Sequence, residues 1–208
     1  MAQQLKAEVR ARLLAAAAGV FARDGYAGAR LADIAAEAGV STGNIYRYFA
    51  DKDTLFGEVV PRATVARLVR LLRTRVRDLR TRSDWRTATA GGSPEADALL
   101  EFWIAHRLAV VIALGHAEGS PLGHVRPLVE GELTRLATHH ARSLGRPLPA
   151  AELLVLRRIF TSTVDMIVHI LETHSEPAAI RRAFAAFWRF QLAGLAALLG
   201  PVLGPDPQ

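Results

Sequence analysis

Glycine and proline divide this chain into helix-length pieces, and within the pieces apolar residues recur at three- and four-residue steps. Val9, Leu13, Ala17, Val20 and Phe21 make one such stripe, which predicts a helix over residues 4–23. Asp24 and Gly25 end it, because glycine accepts positive φ at little cost. A short helix over residues 31–38 stops at Gly39, and Ser41 suits the N-cap of a second one over residues 42–49. Asp51 opens a long helix over residues 52–81. Its stripe is Val65, Leu68, Leu72, Val76 and Leu79, and Arg67, Arg70, Arg73, Arg77 and Arg80 lie mostly on other faces. Helices follow over residues 94–114, 127–144, 149–173 and 177–199, with Pro127, Pro149 and Pro177 at first-turn positions. A turn or short helix fits residues 121–126. No stretch alternates as a strand would, and no repeat is present. The expectation is an all-α chain of about nine helices. Residues 87–94 (TATAGGSP) read as a flexible loop marking a boundary, and residues 200–208, with three prolines, as a frayed end.

Half of the 208 residues are hydrophobic, enough for a packed core. The absence of cysteine excludes disulfides, thiolate zinc sites and thiol nucleophiles, and fits a reducing compartment. Residues 1–12 are too polar for a secretion signal, and the apolar run 104–114 is short and broken by His106 and Arg107. The chain therefore reads as soluble and cytoplasmic, with no membrane partner. The net charge of +6 is unevenly spread. Residues 1–90 hold 16 Lys and Arg against 9 Asp and Glu, whereas residues 91–208 hold 10 against 11. All the basic excess sits in the first part, as expected if that part meets a polyanion; a merely basic face is equally consistent. No Gly-rich phosphate loop, zinc-ligand pattern or nucleophile motif is present, so no enzyme activity is expected. His139 and His140 are adjacent, and His106, His116 and His124 lack ligand spacing, so neither a metal nor a cofactor is expected.

The two short helices behind a longer first one form a helix-turn-helix pattern. Ile34, Ala35, Ala38, Val40, Ile45 and Phe49 are spaced to share a small core. Spacing alone is also met by an ordinary helical hairpin. The residues themselves are more specific. Gly25-Tyr26, Asp33-Ile34-Ala35, Ala38-Gly39-Val40-Ser41, Gly43, Ile45-Tyr46, Tyr48-Phe49, Lys52 and Leu55-Phe56 resemble the signature of the TetR family over roughly residues 8–60.

The resemblance implies a three-helix DNA-binding domain over residues 1–50 and a larger helical domain over residues 51–208 that binds a small molecule and dimerises. It implies that residues 42–48 are the recognition helix in the major groove, with Thr42, Gly43, Asn44, Tyr46, Arg47, Tyr48 and Lys52 facing DNA. Ser41, Thr42 and Tyr46 can donate hydroxyl hydrogen bonds to phosphate at a helix N-terminus, and Lys52 offers a point charge. Gly43 lets the backbone approach the groove. Asn44 suits adenine and Arg47 guanine, although either could touch only phosphate. The family commonly has a hydroxyl residue before the first short helix; here Ala29-Arg30 stands instead. Arg30 is then either a phosphate contact or a surface charge.

In the rest of the chain, Trp103, His106, Phe160 and Met166 are the candidates for a mostly apolar ligand pocket. The last helix carries Ile180, Phe184, Phe187, Gln191, Leu195 and Leu198 in one stripe, and Phe187, Trp188 and Phe190 offer more apolar surface than one core face needs. Phe184, Phe187, Gln191 and Leu195 are the candidates for a homodimer interface, with helices 149–173 and 177–199 pairing with their copies; each alone could be core. The expected function is a ligand-responsive repressor that binds double-stranded DNA at an inverted repeat and releases it when a small-molecule effector binds. The alternative is a helical protein-interaction module without sequence-specific DNA binding.

Overall fold

The computed structural model describes residues 2–81, 85 and 92–200. Among them are ten helices and no strand: α1 (Ala2–Gly28), α2 (Leu31–Glu37), α3 (Thr42–Ile45), α4 (Lys52–Val59), α5 (Arg62–Thr81), α6 (Pro94–Ala105), α7 (Arg107–Gly115), α8 (Val125–Ser143), α9 (Ala150–Thr173) and α10 (Pro177–Leu199). The expected all-α class is what is observed. Most of the loop expected at residues 87–94 and nearly all of the tail at 200–208 lie outside the described residues.

The first helix breaks at Gly25 as expected, at φ 70° and ψ 168°, which are open to glycine alone, and α1 then runs on to Gly28. Two other expected helices are divided. The expected helix over 52–81 is two helices. Pro61 has no amide hydrogen and forces its predecessor out of the α region, so Val60 sits at φ −123°, ψ 79° and α4 stops. The expected helix over 94–114 breaks at His106 (φ −118°, ψ 32°) with neither glycine nor proline present. The reason is tertiary, because α6 and α7 serve different cores.

Residues 1–68 and 106–126 form one compact unit, and residues 69–105 and 127–208 a second. In the first, α1 packs on α2, α4 and α7. Its core holds Leu13, Ala17, Val20 and Phe21 from α1, Ile34 and Ala35 from α2, Ile45, Phe49, Leu55 and Phe56 beyond them, and Val110–Leu114 from α7. The expected stripe of α1 and most of the expected helix-turn-helix core are therefore buried, while Val9 and Val40 are only half-buried. In the second unit α10 packs on α9 and α6. Trp85 is buried there, donates its indole N–H to the Leu79 carbonyl at 3.0 Å and stacks on His140 at 4.3 Å.

That stack carries a pH prediction. Burial, and then the neighbouring His139, hold the His140 imidazole below its ordinary value of 6.5. His139 in turn lies 3.1 Å from the Arg80 guanidinium. The unfolded chain takes up the His140 proton first as pH falls. The stabilising contribution is thus complete above pH 6.5 and is lost as pH falls through the lower folded value. Urea unfolding followed by tryptophan emission should show lower stability on the acid side, and His140→Phe should flatten that dependence while keeping the stack. An unchanged slope in the variant would show that other groups cause it.

Candidate nucleic-acid interface

The turn between α2 and α3 is built on Gly39, at φ 66°. The Gly39 amide donates to the Ala36 carbonyl at 3.1 Å and the Val40 amide to the Ala35 carbonyl at 2.9 Å, closing α2 with the paired bonds of a left-handed cap. Any side chain at that φ is strained, so this glycine is needed by the fold. Gly43 is different. It has ordinary φ, and a Cβ built there meets nothing within 4 Å.

α3 is shorter than expected. Only Thr42–Ile45 is α-helical, and residues 46–48 continue as turns held by Arg47 N–H to Asn44 O (3.2 Å) and Tyr48 N–H to Ile45 O (2.8 Å). Gly43 and Asn44 are weak helix formers, and a helix this short carries its nucleation cost without a return. Two expectations fail with it. Ser41 occupies the N-cap position, but its side chain makes no capping bond. One turn of aligned peptides also makes too small a dipole to hold an anion by itself.

The expected DNA-facing residues nevertheless share this exposed region. Arg30, Ser41, Thr42, Gly43 and Arg47 are exposed, Asn44 and Tyr48 are half-buried, and Tyr46 is 59% exposed. Arg30 sits at the N-cap position of α2 and makes no side-chain capping bond, as its departure from the family pattern implied. Ile45 and Phe49 point the other way, into the core.

Lys52 has a role that its sequence position does not reveal. Its Nζ donates to the Tyr26 carbonyl at 2.7 Å and the Ala29 carbonyl at 3.2 Å, and it lies 4.3 Å from the centre of the Tyr26 ring. The ammonium therefore caps the end of α1, leaving one of its three protons for another acceptor. The Tyr26 hydroxyl donates to Asp53, and burial followed by that carboxylate pushes the phenol up to about 12. Asp51 caps α4 through the Thr54 amide at 2.7 Å, as expected, and that bond holds its carboxyl below the usual range. Nor did the sequence point to Arg10, which bonds Glu58 and lies 5.5 Å from the Phe49 ring. No periodic signal links residues so distant in the chain. Lys52→Met should lower the unfolding free energy by roughly 1–3 kcal/mol without DNA present, whereas Arg47→Met should leave it unchanged. Equal thermal melts for Lys52→Met and the parent would show that the cap contributes nothing.

In the second unit, Trp103 and Phe160 are buried and Met166 is exposed on α9; His106 belongs to the first unit and is half-buried. Phe184 is buried 5.0 Å from Trp103, between ring centres. Gln191 is buried and donates to Thr163 Oγ1 at 2.9 Å, Leu195 is buried and Phe187 is half-buried. Phe190, by contrast, is 76% exposed.

Residues 13–59 match the family model for bacterial regulatory proteins of the tetR family. No curated protein matches the chain. Among solved structures, similar ones include a TetR-family transcriptional regulator from Mesorhizobium loti, at 21% identity over 90% of this chain and 96% of that one, with a TM-score of 0.45. A transcriptional regulator from Pseudomonas aeruginosa is 25% identical over 90% of each chain, with a TM-score of 0.41. The regulator FadR from Bacillus subtilis, in complex with stearoyl-CoA, is 16% identical over 88% of this chain and 97% of that one, with a TM-score of 0.40. No helix among the described residues is by itself long and apolar enough to cross a membrane. Residues 13–59, which carry the helix-turn-helix, thus match the tetR family of bacterial regulatory proteins.

Proposed function

We propose that the protein is a ligand-responsive repressor that binds an inverted-repeat operator as a homodimer and releases it when a small molecule occupies the second unit. The observation that carries the DNA-reading part is the surface of Thr42, Gly43, Tyr46 and Arg47, exposed beside the buried Ile34, Ala35, Ile45 and Phe49 of the helix-turn-helix core. Residues 1–50 together with Lys52 read DNA in this proposal, with Arg30, Ser41, Thr42, Tyr48 and Lys52 positioning the protein on phosphate and Asn44 or Arg47 reading bases. Residues 51–208 supply effector binding, for which Trp103 and Phe160 are the buried candidates, and dimerisation.

Dimerisation accounts for the outer face of α10. Ala186, Phe190, Ala193, Gly194 and Ala197 are all exposed there, and Leu154, Val155 and Met166 are exposed on α9. A run of small residues around one large aromatic is what close packing of two copies needs. The chain passes between the two units within α5, between Ala105 and His106, and between Arg126 and Pro127. A ligand that favours one arrangement of the second unit can thus bias the first through covalent connections. It can do so only by its differential affinity for the two states, and DNA must weaken ligand binding by the same factor.

The test is selection of bound genomic fragments by the purified protein, followed by footprinting at several salt concentrations. Two protected half-sites about one helical turn apart are expected. Weak protection everywhere that vanishes with modest salt would reduce the activity to electrostatic attraction and favour an interaction module.

A further inference from the structure

The second unit has two buried tryptophans that are treated differently. Trp85 gives its indole proton to a backbone carbonyl. Trp103, on α6 and 3% exposed, gives its proton to nothing: its Nε1 is the one buried side-chain nitrogen or oxygen among the described residues without a hydrogen-bond partner. Tryptophan is a donor only, so no acceptor role can compensate. Stranding a buried donor costs enough that folded proteins rarely do it, and such a group is where an absent partner is expected.

The surroundings restrict what that partner can be. Trp103 packs against Phe184 of α10, beside the buried Leu99 and Leu100 of its own helix. The buried polar residues described in this unit are Ser93, Glu132, His140, Thr163 and Gln191, with no lysine or arginine among them. The partly buried guanidiniums Arg75 and Arg146 are paired with Asp78 and Glu152. Arg181 and Glu101, flanking the Trp103–Phe184 contact in sequence, pair with each other at the surface. A carboxylate brought to the indole would be a buried charge without a counter-ion, which is far costlier than a neutral oxygen.

We infer that Trp103 Nε1 anchors the effector through an uncharged acceptor oxygen, a ketone, ester or amide carbonyl on an otherwise apolar molecule seated at the α6–α10 seam. This inference rests on the small-molecule reading above, and adds to it the donor atom and the ligand class. The aromatic pair of Trp103 and Phe184 supplies an apolar wall, and the indole proton sets the orientation.

The experiment uses the full chain and three probes of equal length: a medium-chain methyl ketone, the hydrocarbon with a methylene in place of the carbonyl, and the carboxylate. Affinities are measured by calorimetry for the parent and for Trp103→Phe, which keeps an aromatic ring and removes the proton. Comparing ratios cancels the probes' different hydration. The ketone-to-hydrocarbon affinity ratio should fall roughly 3- to 10-fold in the variant, as expected for one hydrogen bond. Probes that bind with an unchanged ratio overturn the anchor and leave the small-molecule reading standing, an ordered water then being the indole's partner. Carboxylate binding tighter than ketone binding overturns the uncharged class. Failure of every probe to bind the parent overturns both readings. Should Trp103→Phe not fold, the parent itself decides. Its Trp103 indole proton resonance should move downfield with the ketone and not with the hydrocarbon, and a stationary resonance overturns the anchor.

Discussion

Gly43→Leu should leave the protein folded and cost about 10- to 100-fold in affinity for the operator found by selection, the equivalent of roughly 1–3 kcal/mol. The two halves of this expectation come from different observations. For the fold, a Cβ at position 43 meets no atom within 4 Å and the backbone is not left-handed, so nothing in the protein requires glycine there. Replacing glycine within a helical turn even favours folding by roughly 0.5–1 kcal/mol. For binding, the position lies between Thr42 and Asn44 on the exposed first turn of α3, where a large side chain would hold the backbone off the groove. Gly43→Ala should fall between Leu and the parent. The contrast is Gly39→Leu, where φ of 66° makes any side chain strained and stability itself should fall. The measurements are a thermal melt and a binding isotherm at one salt concentration for each variant. A stable Gly43→Leu protein with parental affinity would mean that this turn does not approach DNA, and the recognition surface would have to be sought elsewhere.

The contrast between these two glycines bears on what a sequence can reveal. Gly39 was legible because a helix-stop pattern and a left-handed φ are local properties of a few residues. The stripes of α1 and α5, the cap at Asp51 and the break at Gly25 were legible for the same reason. The division at His106 was not, because no local signal marks it; α7 turns away to complete a core whose other members lie more than fifty residues earlier. Pro61, which divides the expected helix over residues 52–81, is by contrast a local signal. The site shows the same division. The candidate DNA-facing residues between Ser41 and Tyr48 came from the resemblance of the residues themselves, because spacing alone also fits an ordinary hairpin. The anchoring of Lys52 on the Tyr26 and Ala29 carbonyls depends on two helices meeting at an angle that periodicity does not encode. In the second unit, the stripe of α10 was visible, but which side of it faces outward was not. Phe184 lies against Trp103 and Phe190 is exposed, although both fit an apolar helix face.

Phe56→Ala should destabilise the first unit by roughly 3–5 kcal/mol, the range for deleting a buried aromatic side chain. Phe56 is 1% exposed and is the hub of an aromatic trio. Its ring meets Phe21 edge-on at 5.1 Å and Tyr26 at 4.9 Å, while Phe21 and Tyr26 stack at 6.1 Å. Such pairs contribute beyond the area they bury. The trio also joins α1 to α4, and α4 begins with the lysine that caps α1. Removing the ring therefore loosens the helix carrying Lys52 against the helix end it holds, so operator affinity should fall with stability. The chain supplies its own reporters. All three tyrosines, Tyr26, Tyr46 and Tyr48, lie in the first unit, and all three tryptophans, Trp85, Trp103 and Trp188, lie in the second. Urea unfolding followed by tyrosine second-derivative absorbance and by tryptophan emission then separates the two. The tyrosine transition should move to lower urea, with the tryptophan transition following only as far as the units unfold cooperatively. A tyrosine transition shifted by less than about 1 kcal/mol would show that the trio repacks around the deletion. In that case, the rigidity of the DNA-reading surface would have to come from the α1–α7 contact instead, where the Tyr26 amide donates to the His116 carbonyl at 2.8 Å.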